Sequence, residues 1–181
     1  MALAPAVLPA PAPIGALTVG VTDAGLALVA FGADLDAAQR AASRLGEPLL
    51  ADPAACTAAT AAARAQLGEY LAGERRRFDL PLDWRLTSGA PQRVLRALWE
   101  TVPYGATVTY GELAARGGLG RGHTAARGVG AIMGSNPFPV VVPCHRVLAA
   151  DGIGGFGGGL RTKEWLLALE GVLTGALPLP W

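Results

Sequence analysis

The 181-residue chain is short of cysteine, histidine and lysine. Its two cysteines, Cys56 and Cys144, lie 88 positions apart (144 − 56), which leaves no disulfide framework and fits a reducing, intracellular setting. Fourteen of the fifteen basic residues are arginine, the better phosphate fork and stacking partner; Lys163 is the exception. No uninterrupted run of about 18 strongly apolar residues exists, so nothing in the sequence spans a membrane. Met1 to Pro13 is apolar but carries four prolines and no basic residue, a poor signal peptide. That stretch predicts a disordered or extended tail.

Hydrophobic residues make up 51% of the chain, much of it alanine, enough for a globular core. The net charge of +1 argues by itself against a nucleic-acid partner, but the charges are uneven. Residues 1–87 hold seven Arg and nine Asp+Glu, giving −2; residues 88–181 hold eight Lys+Arg and five Asp+Glu, giving +3. This asymmetry is mild and alone decides nothing; with DNA as partner it would mean modest, salt-sensitive affinity built from few phosphate contacts.

Taken in order, Ile14–Val21 and Gly25–Phe31 read as two strands joined by a turn at Asp23-Ala24-Gly25. Asp34–Leu45 reads as a helix capped by Asp34, and Pro53–Ala72 as a second, alanine-rich helix stopped at Gly73. Phe78-Asp79-Leu80 predicts a returning strand behind the solvated triple arginine Arg75-Arg76-Arg77. The half spanning residues 14–87 is a scaffold with no assigned chemistry. Pro81–Ala90 marks the boundary, where the charge balance changes sign.

A second domain, residues 88–175, opens on a helix over Pro91–Val102, with Val94, Leu95, Leu98 and Trp99 at core spacing. Thr109 caps a short helix through Ala115, and a glycine-rich break over Gly117–Gly122 follows. Thr124 then caps a second helix that runs to about Met133. This is a helix-turn-helix pattern. The face formed by Ala125, Ala126, Gly128, Gly130 and Ala131 is thin, with Arg127 its one long cation. Such a face suits a minor groove about 6 Å wide, though small residues serve tight helix packing equally well.

The most informative stretch is Pro139-Val140-Val141-Val142-Pro143-Cys144-His145-Arg146-Val147. The β-branched run predicts a short buried strand that stops at Pro143, because proline fixes φ and cannot donate to a ladder. Cys144 is then aimed from the end of a rigid element. A thiol with an ordinary pKa near ~8.5 is only slightly ionised at neutral pH, so a reactive cysteine needs a base or a positive charge beside it. His145 and Arg146 are the candidates. For a bare Cys-His dipeptide, a buried, inert thiol beside a surface histidine is the commoner arrangement.

The wider motif resembles the O6-alkylguanine-DNA alkyltransferases (methylated-DNA–protein-cysteine methyltransferases). The likeness runs through Asn136-Pro137, Pro143-Cys144-His145-Arg146-Val147, Gly154-Gly155-Phe156, Gly158-Gly159-Leu160, Lys163-Glu164-Trp165-Leu166-Leu167 and Glu170-Gly171. It covers about Pro91 to Gly171 strongly and Ile14–Phe31 more weakly. The implied fold is an α/β N-terminal domain, a small mixed or antiparallel sheet with helices. A mainly α C-terminal domain follows, with a helix-turn-helix and a short strand leading to the active-site cysteine.

The resemblance also implies roles. The substrate is double-stranded DNA containing O6-alkylguanine, with O4-alkylthymine as a further candidate lesion. Cys144 takes the alkyl group once per molecule; His145, through a water, takes the thiol proton, and Glu170 orients His145. Tyr110 turns the phosphate and protonates the departing guanine, and Asn136 braces the turn near the thiolate. Arg127 fills the gap left by the extruded nucleotide, from a helix whose Thr124, Ala125, Ala126 and Gly130 meet DNA. Val147, Phe156 and Gly157 form the base pocket, the first and last through main-chain groups. Some relatives carry a structural zinc in the N-terminal domain, but here that domain has Cys56 and no histidine. No metal and no cofactor is expected, and the protein is expected to be a cytoplasmic monomer.

Departures from the family pattern accompany the likeness. The Tyr110-to-Arg127 segment is longer than usual and lacks a common proline, and the loop from Val147 to Phe156 is shorter. Phe156 stands where tyrosine is frequent, and Gly157 where serine or alanine is commoner, which predicts room for bulky O6 adducts. Three rival readings share these residues: a lesion binder of the same fold without transfer, a thiol hydrolase using Cys144 and His145, and a plain helix-turn-helix regulator.

Overall fold

The computed structural model describes residues 1–174; the end of the expected second domain, at 175, lies outside the described residues. The chain folds as two compact units, Met1–Leu86 and Thr87 onward.

The first unit is an antiparallel meander of β1 (Ala4–Pro9), β2 (Ala16–Thr22) and β3 (Gly25–Phe31), with helices α1 (Leu35–Leu45) and α2 (Pro53–Leu71). Four consecutive residues of the central strand, Leu17 to Gly20, are buried. Successive strand residues face opposite sides, so both faces of β2 are covered, and both helices pack on it. Each fully buried leucine here contributes about 1.5–3 kcal/mol relative to exposure. Asp34 caps α1 by accepting from the Ala37 amide at 2.9 Å, and Gly46 ends the helix at φ 68°.

Two expectations fail in this unit. Residues 1–13 are not a tail, because Ala4–Pro9 pairs along its whole length with Ala16–Val21. Pro5 and Pro9 are tolerated because β1 lies at the edge of the sheet, where an amide can be missing without breaking a ladder. Phe78-Asp79-Leu80 forms no strand either. Only a single bridge joins Leu82 to Leu26, held by Leu26 N–H to Pro81 O and Asp83 N–H to Leu26 O. Pro81 itself has no amide with which to extend the pairing.

The second unit begins with α3 (Gly89–Thr101), followed by α4 (Tyr110–Arg116) and α5 (His123–Gly134), which pack on one another. A capping box opens α4: Thr109 accepts from the Glu112 amide at 3.2 Å, and the Glu112 carboxylate accepts from the Thr109 amide at 2.8 Å. Helix α5 starts two residues earlier than expected, with Gly122 (φ 104°) as its cap and Thr124 in its first turn. Trp99, expected in the core, is 36% exposed; it follows Leu95 by four residues and lies at the margin of the α3 face that buries Val94, Leu95 and Leu98.

The expected strand before the cysteine is absent. Val140 has a φ of 75°, the only described non-glycine residue in the left-handed region, and the Val142 amide folds back to the Phe138 carbonyl at 2.8 Å. Proline at both ends of the valine run denies it the ladder its β-branched residues favour. The result is a buried turn, and a left-handed valine stores about 1–3 kcal/mol of strain there. The short strand lies after the cysteine: Cys144–Arg146 is one turn of 3-10 helix, and Val147–Leu148 forms strand β5, parallel to β4 (Val108–Thr109). Among the described residues the last helix is α6, Leu160–Leu169.

Candidate active site

The two-residue ladder sets the geometry of the site. Val108 pairs with Val147 and Thr109 with Leu148. Tyr110, the first residue of α4, follows β4 directly, and β5 directly follows the Cys144 turn. Backbone hydrogen bonds therefore fix the start of the helix-turn-helix relative to the cysteine. Both border a cleft of about 1020 Å³, lined among others by Tyr110, Ala126, Arg127, Gly130, Cys144 and Phe156. Gly157 also faces this cleft, and a Cβ placed there meets nothing within 4 Å. Thr124 and Ala125 do not line it.

Cys144 is only 6% exposed. Burial pushes its thiol above the ordinary range, against the opposing pull of Asn136 and the charge of Lys163. The Asn136 side chain spans the strained turn, donating to Val142 O at 2.8 Å and accepting from the Phe138 amide at 2.9 Å. At rest the sulfur is therefore a protonated thiol in a braced turn.

His145 is fully buried, with Nε2 2.8 Å from Glu170 Oε1. Glu170 is a carboxylate that only accepts, so the neutral ring carries its proton on Nε2 and its basic lone pair on Nδ1. Burial depresses the histidine, helped by the charges of Arg146 and Lys163 and opposed by Glu170. Burial raises the Glu170 carboxyl, but hydrogen bonds from His145 and Arg146 outweigh it and hold the group well below the usual carboxylate range. Arg146 grips Glu170 as a fork, Nε to Oε2 at 2.9 Å and Nη2 to Oε1 at 2.8 Å, and donates from Nη1 to Val102 O at 2.7 Å. The Gly105 amide donates to Glu170 Oε2 at 3.1 Å.

Tyr110 lies half-buried across the cleft; its hydroxyl is 3.4 Å from Gly155 O, and burial, then the sulfur's charge, raises its pKa. Gly154, at φ 74°, packs against this ring, where a Cβ would sit 3.0 Å from Tyr110 Cε2. Val147 is fully buried; its amide donates to Cys144 O and its carbonyl accepts from Lys163 Nζ at 2.7 Å. Lys163 escaped the sequence reading of roles, as did the fork of Arg146 on Glu170. The available signal was the rarity of lysine in an arginine-rich chain.

The cleft of a helix-turn-helix unit thus holds a thiol, and the next residue in the chain carries an imidazole bonded to a carboxylate. Two family models match: the 6-O-methylguanine DNA methyltransferase DNA binding domain over residues 90–172, and the ribonuclease-like domain of the same family over residues 10–84. A methylated-DNA–protein-cysteine methyltransferase of Mycolicibacterium paratuberculosis is 52% identical over 113 residues, covering 62% of this chain and 66% of the relative, just under two thirds of its length. Mycobacterium tuberculosis OGT, crystallised in complex with DNA, is 38% identical with a TM-score of 0.73, over 92% of this chain and 91% of that one. The O6-methylguanine-DNA methyltransferase of Pyrococcus kodakaraensis is 28% identical with a TM-score of 0.62, over 93% and 99%. The chain belongs to the 6-O-methylguanine DNA methyltransferase family.

Proposed function

We propose that this protein repairs O6-alkylguanine in double-stranded DNA by moving the alkyl group onto Cys144, once per molecule, and that it works in the cytoplasm. One observation carries the reading: a single cleft holds the Cys144 sulfur and the exposed Arg127 of α5, so the nucleophile and a DNA-facing cation address the same ligand.

The O6 atom of guanine lies inside the duplex, so the nucleotide must be flipped out, and something must fill the gap. Arg127 fills it, and the small residues Ala126 and Gly130 let the helix approach the minor groove. The extruded base enters the cleft beside Tyr110, Phe156 and Gly157. The thiol proton passes through a water to His145 Nδ1, and Glu170 stabilises the resulting imidazolium. The sulfur attacks the alkyl carbon in line; the S–C bond forms as the C–O6 bond breaks. The departing guanine takes the Tyr110 hydroxyl proton. The product is a thioether, a poor leaving group, so the protein is spent.

Incubation with duplex carrying O6-methylguanine, followed by mass spectrometry, tests the reading. One stable methyl group on Cys144 is expected, and none in Cys144→Ser. Unmodified Cys144 with turnover of an ester would favour a thiol hydrolase, and lesion binding without an adduct would favour a non-catalytic binder.

A further inference from the structure

Lys163 is the one lysine of the chain, set among fourteen arginines, and its side chain is fully buried. Its Nζ donates to Val147 O at 2.7 Å and to Gly155 O at 3.1 Å, and lies 5.9 Å from the centre of the Tyr110 ring. Among the described residues no carboxylate lies within 4.0 Å of it. Its surroundings are carbonyl dipoles and a ring face, with no formal negative charge. Burying an ammonium without a counter-ion costs several kcal/mol, so its position calls for a partner that becomes negative during function. Arginine would keep the charge but not these contacts: a compact ammonium turns its three donors to two carbonyls and a ring, whereas a planar fork is suited to one carboxylate.

We infer that Lys163 is a positioning residue for the transfer, strapping the carbonyl of Val147 to that of Gly155 beside Tyr110 and supplying the positive charge against which the Cys144 thiolate forms. The inference rests on reading Cys144 as the nucleophile. The resting thiol leaves this charge poorly compensated, and ionisation of the sulfur compensates it. The cation therefore favours the reacting state over the resting one, the condition for acceleration. Burial already draws Lys163 down to about 8, and the sulfur's charge acts in the opposite sense. The other charged or titratable groups around the sulfur are Tyr110 of α4, His145 with Glu170 and Arg146 behind it, and His123, Arg127 and Asp151 along the cleft.

The test uses iodoacetamide, which needs no DNA, and follows the pH–rate profile of Cys144 alkylation by mass spectrometry in the full chain. Lys163→Met should move the midpoint upward by about one pH unit and slow the reaction about tenfold at pH 7. Lys163→Arg should keep the wild-type midpoint, because it keeps the charge, yet slow transfer from DNA, because it loses the strap. An unmoved midpoint in Lys163→Met, or a midpoint in Lys163→Arg equal to that of a shifted Lys163→Met, overturns the inference. Wild-type protein labelled with ¹³C-lysine gives one side-chain signal and needs no variant. Its titration midpoint should rise when Cys144 is blocked as an anionic sulfonatoethyl disulfide and not when it is blocked as the neutral methyl disulfide, and equal midpoints would sink the coupling. Failure of the DNA reaction alone, with these shifts present, would count against the repair reading and leave this inference standing.

Discussion

Arg146 and Glu170 form a buried fork-to-carboxylate pair, with contacts of 2.9 and 2.8 Å, and the same carboxylate holds the imidazole of His145. One acidic group thus answers both a permanent cation and a buried imidazole.

Removing the arginine strands that charge. Arg146→Ala should cost about 3–5 kcal/mol, because an uncompensated carboxylate is left inside the protein. Arg146→Lys should recover only part of the loss, since a point charge cannot occupy both oxygens. Urea unfolding at pH 7 measures both, and an alanine variant within about 1 kcal/mol of wild type would refute the account.

The pair also predicts acid lability. The folded protein keeps His145 neutral and Glu170 ionised, while the unfolded chain protonates histidine below about 6.5 and glutamate below about 4.5. In both ranges the unfolded state binds more protons, so stability is full above about pH 6.5 and falls as the pH drops. Urea midpoints at pH 7, 5.5 and 4 should decrease in that order, with a shallower fall at the acid end in Glu170→Gln. A flat series would contradict these environments.

Gly154→Ala places a methyl group against Tyr110 at a backbone angle that side chains rarely adopt. A loss of about 1–3 kcal/mol is expected, together with slower transfer from DNA because the phenol is displaced. Unchanged transfer by this variant would show that the position of Tyr110 does not matter.

Arg127→Ala should slow transfer from a duplex by about tenfold or more, because unstacking a base costs a few kcal/mol and nothing then fills its place. Transfer from a single strand, already unstacked, should change far less. Equal losses on both substrates would reduce Arg127 to a phosphate contact.

With no side chain at Gly157 and a cleft of about 1020 Å³, an O6-benzyl group should transfer to Cys144 as readily as methyl. Competing the two lesions in one reaction checks this, and labelling by methyl alone would show that the space is closed to larger groups.

The sequence disclosed the periodic parts of the fold well. Asp34 and Thr109 marked helix starts, and the β2–β3 hairpin was legible from its turn, because these signals are local. The turn at Val140 was not, since a valine run between prolines carries strand propensity until the ends are denied their amides. The edge strand β1 was hidden by its prolines, which an unpaired edge tolerates. Glu170 could be assigned to His145 only through the family likeness, because 25 residues separate them. The three contacts of Lys163 come from residues 8, 16 and 53 positions away in the chain, and no local pattern announces such a meeting.

The seclusion of the sulfur bears on how long the protein keeps its thiol intact. If Cys144 accepts one alkyl group and is then spent, as proposed, any passing oxidant or alkylating metabolite would waste it. Burial keeps the thiol protonated and nearly out of reach of solvent. Such a molecule can be made ahead of damage and held in store, with its shelf life set by the same packing that sets its chemistry.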